Sequence, residues 1–75
     1  MNRFLEKLTE TCWFNKPTML AIVQPMESQD YIVISQEGQI VFGPNTFGLC
    51  AMFIRERAKE QGFYYTMDDY KEKIE

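Results

Sequence analysis

From Asn2 to Trp13 the apolar residues Phe4, Leu5, Leu8 and Cys12 recur at steps of one to four residues, with Arg3, Glu6, Lys7 and Glu10 elsewhere in the segment. This spacing predicts an amphipathic helix. Asn2 is a suitable N-cap, Asn15 can leave the helix in a left-handed conformation, and Pro17 discourages continuation, so this first helix is expected to stop before Pro17. The pattern then changes. Thr18 to Gln24 is a continuous apolar run of strand length between Pro17 and Pro25, which predicts a central strand or one covered on both faces. After the polar connection Pro25 to Asp30, Tyr31-Ile32-Val33-Ile34 is rich in β-branched and aromatic residues and predicts a second strand. Ser35-Gln36-Glu37-Gly38 puts a glycine where a tight loop takes positive φ, so Gln39 to Phe42 is expected to return antiparallel.

Gly43-Pro44-Asn45-Thr46 is expected to end that third strand and open a second helix, with Asn45 or Thr46 as its cap. Phe47, Cys50, Ala51, Ile54, Ala58 and Gln61 trace its apolar stripe, widened early by Leu49, Met52 and Phe53, and Gly62 stands where a C-terminal glycine stops a helix. Phe63-Tyr64-Tyr65 favours extended backbone, as a short edge strand or a crossing of the core. Thr66-Met67-Asp68-Asp69 resembles a capping box with Asp in place of Glu or Gln, and Met67, Tyr70 and Ile74 give a short last helix one apolar face. The fold expected is α+β, in the order αβββα(α), with a three-stranded antiparallel sheet packed against helices.

Residues 1–75 are expected to form a single domain, since a second core would have too few residues to close. Apolar residues make up 45% of the chain and aromatic residues 15%, enough to fold rather than remain disordered. The net charge of −3 comes from 11 acidic and 8 basic residues, interleaved without blocks. Nucleic-acid binding needs clustered Lys and Arg, which this chain lacks, so nucleic acid is not an expected partner. No apolar run approaches the ~18 residues of a membrane span and the start carries no apolar signal core, so a cytoplasmic location without membrane attachment is expected.

Candidate chemistry is sparse. The chain has no histidine, and neither Ser28 nor Ser35 has a base to activate it, so both read as turn residues. Cys12 and Cys50 are expected to be reduced and packed in the core. Cys50 could be nucleophilic only if a cation or its helix N-terminus lowered the thiol pKa. The acids Asp30, Asp68, Asp69, Glu27 and Glu37 match no calcium loop, and Gly43 to Thr46 lacks the lysine that an anion site would want. No catalytic group, cofactor or metal is expected, and the chain does not read as an enzyme.

Aromatic residues remain as candidate contacts. Trp13, Phe14, Phe63, Tyr64, Tyr65 and Tyr70 gather at segment junctions, and half-exposed Trp and Tyr are the usual anchors of protein interfaces. The expected partner-binding residues are Trp13, Tyr64, Tyr65 and Tyr70. The expected function is that of a small accessory or inhibitor-type protein docking onto a protein partner. Its alternatives are a homodimer built on an edge strand or the last helix, and a binder of small ligands or of single-stranded nucleic acid stacked on Tyr31 and Phe42.

Overall fold

Alternation with a period of two governs the N-terminal part of the chain. In the structure, a computed structural model that describes residues 4–65, β1 (Glu6–Thr9) and β2 (Cys12–Asn15) form an antiparallel hairpin that pairs Glu6 with Phe14, Lys7 with Trp13 and Thr9 with Cys12. In place of the helix expected over Asn2 to Trp13, the described residues Glu6–Asn15 form a hairpin. Cys12, Trp13, Phe14 and Asn15 alternate between half-buried and buried, whereas the helix-like spacing of Phe4, Leu5, Leu8 and Cys12 is coincidental. Phe4 and Leu5 precede β1 and are fully buried, and Leu8 is exposed. The turn uses Thr9, Glu10 and Thr11: the Thr11 amide donates to Thr9 Oγ1 at 3.1 Å, and Lys7 Nζ reaches Glu10 Oε2 at 3.1 Å. No glycine, proline or asparagine marks it.

Three further strands follow: β3 (Leu20–Val23), β4 (Tyr31–Ile34) and β5 (Ile40–Asn45). All five are antiparallel to their neighbours and lie in chain order. The sheet thus has five strands rather than three, and the order αβββα(α) becomes βββββα over the described residues. The helix expected from Thr66 onward lies outside them. β3 is central, as its doubly apolar run predicts. It begins at Leu20 rather than Thr18 because Lys16 to Met19 make the β2–β3 turn, with Met19 N donating to Lys16 O at 3.2 Å and Met19 at φ 58. The hairpin at Ser35 to Gly38 forms as expected, closed by Ser35 N to Gln39 O at 2.8 Å and by Gly38 at φ 86. The following strand does not end at Phe42. It continues through Gly43 and Pro44 with an irregular register against β4.

Only Thr46 separates β5 from α1 (Phe47–Glu60), and it is the N-cap: its Oγ1 accepts from Leu49 N at 3.2 Å. The other end closes as a Schellman motif, with Phe63 N bonded to Ala58 O at 2.9 Å, Gly62 N to Lys59 O at 3.0 Å, and Gly62 at φ 88. Arg57 and Lys59 stand in the last turn, where cations complement the helix dipole. Of the stripe predicted for this helix, Cys50, Ala51, Ile54 and Ala58 are buried and Phe47 and Phe53 half-buried, whereas Leu49, Met52 and Gln61 are exposed. Cys50, Ala51 and Ile54 join Trp13, Leu20, Ile22 and Val33 of the sheet, with Phe4 and Leu5, in a single core.

Candidate functional site

Of the four expected contact residues, the three within the described residues do not form one surface. Trp13 is only 8% exposed. It lies on the helix-facing side of β2, with its ring edge-on to Phe47 at 4.9 Å and to Tyr31 at 6.0 Å, and its indole N–H has no hydrogen-bond partner. Tyr65 is half-buried against Phe4, with ring centroids 4.8 Å apart. Tyr64 is 74% exposed. Tyr64 and Tyr65 share a shallow cavity of about 130 Å³ with Arg55 and Lys59, and Trp13 does not line it. Tyr70 lies outside the described residues.

A larger feature sits on the other side of the sheet. The pairing register puts Trp13, Ile22, Val33 and Phe42 in a row beneath α1. The residues between them point the opposite way, because successive side chains in a strand alternate between faces. One row on this second face is Cys12, Val23 and Ile32, and the next is Phe14, Ala21, Ile34 and Ile40. All seven are apolar. Ala21 is shielded by its larger neighbours, five are half-buried, and Ile40 at the margin is 60% exposed. Among the described residues no helix packs over these rows. The signal for this face was present in the sequence, because Leu20 to Val23 and Tyr31 to Ile34 are apolar at both parities. A sheet solvated on one side should alternate with polar residues.

The thiols are placed for packing. Cys12 belongs to the open face and Cys50 to the core beneath the opposite face, so the sheet lies between them, and both are free. Cys50 Sγ donates to Tyr31 O at 3.4 Å. Burial, with a smaller contribution from the negative charge of Asp30, pushes the Cys50 thiol up to about 11, and burial raises Cys12 as well. Neither is poised as a nucleophile at neutral pH, since the thiolate is the reactive species. Alkylation by iodoacetamide at pH 7.5 should therefore spare Cys50 in the folded protein and modify it once urea is added, as counted by intact mass. Rapid native labelling of Cys50 would contradict this placement. The unfolded thiol ionises first, so the stability linked to Cys50 is full below pH 9.0 and is lost as pH rises towards about 11.

Among the described residues no three His, Cys, Asp or Glu side chains gather at metal-binding spacing, and no helix is long and apolar enough to cross a membrane. No protein family, curated protein or solved structure matches the chain.

Proposed function

We propose that this protein is a non-enzymatic, cytosolic module that works by docking the open face of its sheet onto an apolar surface of another protein. The observation that carries the reading is the pair of apolar rows on that face. Contiguous exposed apolar surface marks interaction sites, and each Å² removed from water contributes about 25 cal/mol. Tyr64 and Tyr65, beside Arg55 and Lys59, form a separate and smaller contact candidate. The free thiols on opposite sides of the sheet are in keeping with a reducing compartment.

Other routes to a partner are less well supported. β1 is a four-residue edge with a register shift and the charges of Glu6 and Lys7. The opposite edge, β5, has two register shifts and contains Pro44, which has no amide hydrogen to donate. Both are the devices by which sheet edges avoid pairing with other chains, which disfavours a dimer joined edge to edge. The rings proposed for base stacking are occupied: Tyr31 packs edge-on to Phe47 at 5.3 Å, and Phe42 stacks on Phe53 at 4.8 Å.

A photo-crosslinking amino acid placed at Ile34, on the open face, should capture a defined protein from lysate of the native cell. The same group at Arg57, on the exposed side of α1 over Phe53, should not. Ile34→Thr keeps a β-branched side chain in the strand. It is expected to lower binding of that partner at least tenfold while shifting Tm by no more than about 4–8 °C, the equivalent of roughly 1 kcal/mol in a domain of this size. Equal capture from Ile34 and Arg57 would remove the open face from the mechanism.

A further inference from the structure

Charge is distributed unevenly between the two layers of the molecule. Within residues 4–46, which form the sheet and its turns, Glu6, Glu10, Glu27, Asp30 and Glu37 stand against only Lys7 and Lys16. Within residues 47–65, which form α1 and the segment after it, Arg55, Arg57 and Lys59 outnumber Glu56 and Glu60. Lys7 does not offset the acids on the open face. It pairs with Trp13 across the hairpin, which puts it on the helix side, where its Nζ is 6.0 Å from the Trp13 ring centroid, and it is also bonded to Glu10. Glu6 pairs with Phe14 and so belongs to the open face itself. Glu37 lies in the turn at the end of β4, next to the row that holds Ile34 and Ile40. The apolar rows are thus bordered by the exposed carboxylates of Glu6 and Glu37, against the single lysine Lys16 in the β2–β3 turn beyond Phe14, and no strand places a basic side chain on that face.

From this border, and resting on the docking reading above, we infer that the open face takes a basic amphipathic helix of another protein, apolar on the side that meets the sheet and flanked by lysine or arginine. A second copy of this chain fits less well. Two copies face to face would bring Glu6 and Glu37 of one against the same residues of the other, and like charges across an interface select against that pairing. A helix is the element that this sheet already accepts, since α1 covers the other face with Cys50, Ala51 and Ile54. Five strands at about 4.8 Å spacing span roughly 19 Å, the length of a helix of about 13 residues at 1.5 Å per residue.

Two synthetic 16-residue peptides test the inference. Both carry leucine at three- and four-residue steps, one with lysine and the other with glutamate at the remaining positions. Titrated into the isotope-labelled full-length protein at 50 mM salt, the lysine peptide should shift the resonances of Phe14, Ile32 and Ile34 and bind at least tenfold more tightly than the glutamate peptide. That preference should narrow at 500 mM salt, where the screening length falls to about 4 Å. The double substitution Glu6→Gln/Glu37→Gln should reduce the preference by more than half, and Ile34→Thr should weaken the lysine peptide at least tenfold. Equal binding of both peptides at the open face would overturn the charge inference and leave the docking reading standing. A dimer in sedimentation equilibrium that buries these same residues would make the second copy the occupant and overturn it too. Shifts confined to α1, or no binding of either peptide at millimolar concentration, would overturn both.

Discussion

Replacing Asn15 with alanine should remove most of the stability of this small domain, about 2–4 kcal/mol, because it unmakes a buried polar junction rather than a single contact. Asn15 is fully buried at the end of β2. Its Nδ2 donates to Phe4 O at 2.6 Å, and its Oδ1 accepts from Thr18 N at 3.0 Å and from Thr18 Oγ1 at 2.6 Å. One side chain therefore ties the segment before β1 to the β2–β3 turn, and its loss removes all three of these bonds. A core in a chain of this size supplies only about 3–5 kcal/mol in total. The urea midpoint should fall accordingly with an unchanged m-value. Asn15→Asp separates polarity from shape. At pH 7 it sets a buried carboxylate against the Phe4 carbonyl and should be more damaging than alanine. Once protonated it can donate to that carbonyl again. Burial raises its folded pKa above the unfolded value of about 3.9, so its stability relative to wild type is best at low pH and is lost as pH rises through the folded pKa. A deficit below about 0.5 kcal/mol for Asn15→Ala, within the range of ordinary surface substitutions, would show that the junction is dispensable.

The same residue shows why the first part of the chain reads as a helix and folds as a hairpin. In the sequence Asn15 reads as the exit of a helix, because asparagine tolerates left-handed backbone and Pro17 follows it. In the structure the residue is extended and the side chain, not the backbone, is what the fold uses. Hairpins are recognised by their turns, and Thr9-Glu10-Thr11 is held by threonine hydroxyls and the Lys7–Glu10 ion pair, which leave no distinct mark in a sequence. Phe4 and Leu5 obscure the strand further, since two adjacent buried residues ahead of an exposed four-residue strand fit no simple period. The later elements were legible because local chemistry and packing agree there. Gly38 sits at φ 86 in the predicted turn, Thr46 caps the predicted helix, Gly62 closes it, and Cys50, Ala51, Ile54 and Ala58 of the predicted stripe are buried.

The candidate site was less legible than the fold, for a different reason. An aromatic residue is equally suited to a core and to an interface, and only the pairing register decides which. Trp13 and Phe14 are neighbours in sequence, yet register sends Trp13 under α1 and Phe14 to the open face. Of the expected anchors, Trp13 is therefore a core residue, and its neighbour Phe14, together with Val23, Ile32 and Ile34, lines the open face. Without the first two strands in the sheet, that face could not be assembled from the sequence.

Gly43→Ala should be the most damaging substitution of a glycine among the described residues, lowering stability by about 2–5 kcal/mol from left-handed strain and backbone displacement together. Gly43 has φ 100, and a Cβ there would lie 2.7 Å from Tyr31 O and 3.1 Å from the Ile32 Cα. Both obstacles are backbone, so no side chain can swing aside. The clash falls in the irregular stretch of the β4–β5 pairing, between the Tyr31–Asn45 and Val33–Phe42 pairs. Separating the strands there has consequences on both faces. Thr46 alone joins β5 to α1, so the helix entry moves with it, and Ile40 of the open face loses its register against Ile34. Gly38→Ala is the control. Its φ is 86 and nothing lies within 4 Å of its would-be Cβ, so it should show only the left-handed penalty of about 1–2 kcal/mol. If urea unfolding gave the two variants equal losses, the close approach of β5 to β4 at Gly43 would not be what holds α1 over the sheet. A larger loss at Gly43, with weaker binding at Ile34, would tie the docking face to this single backbone contact.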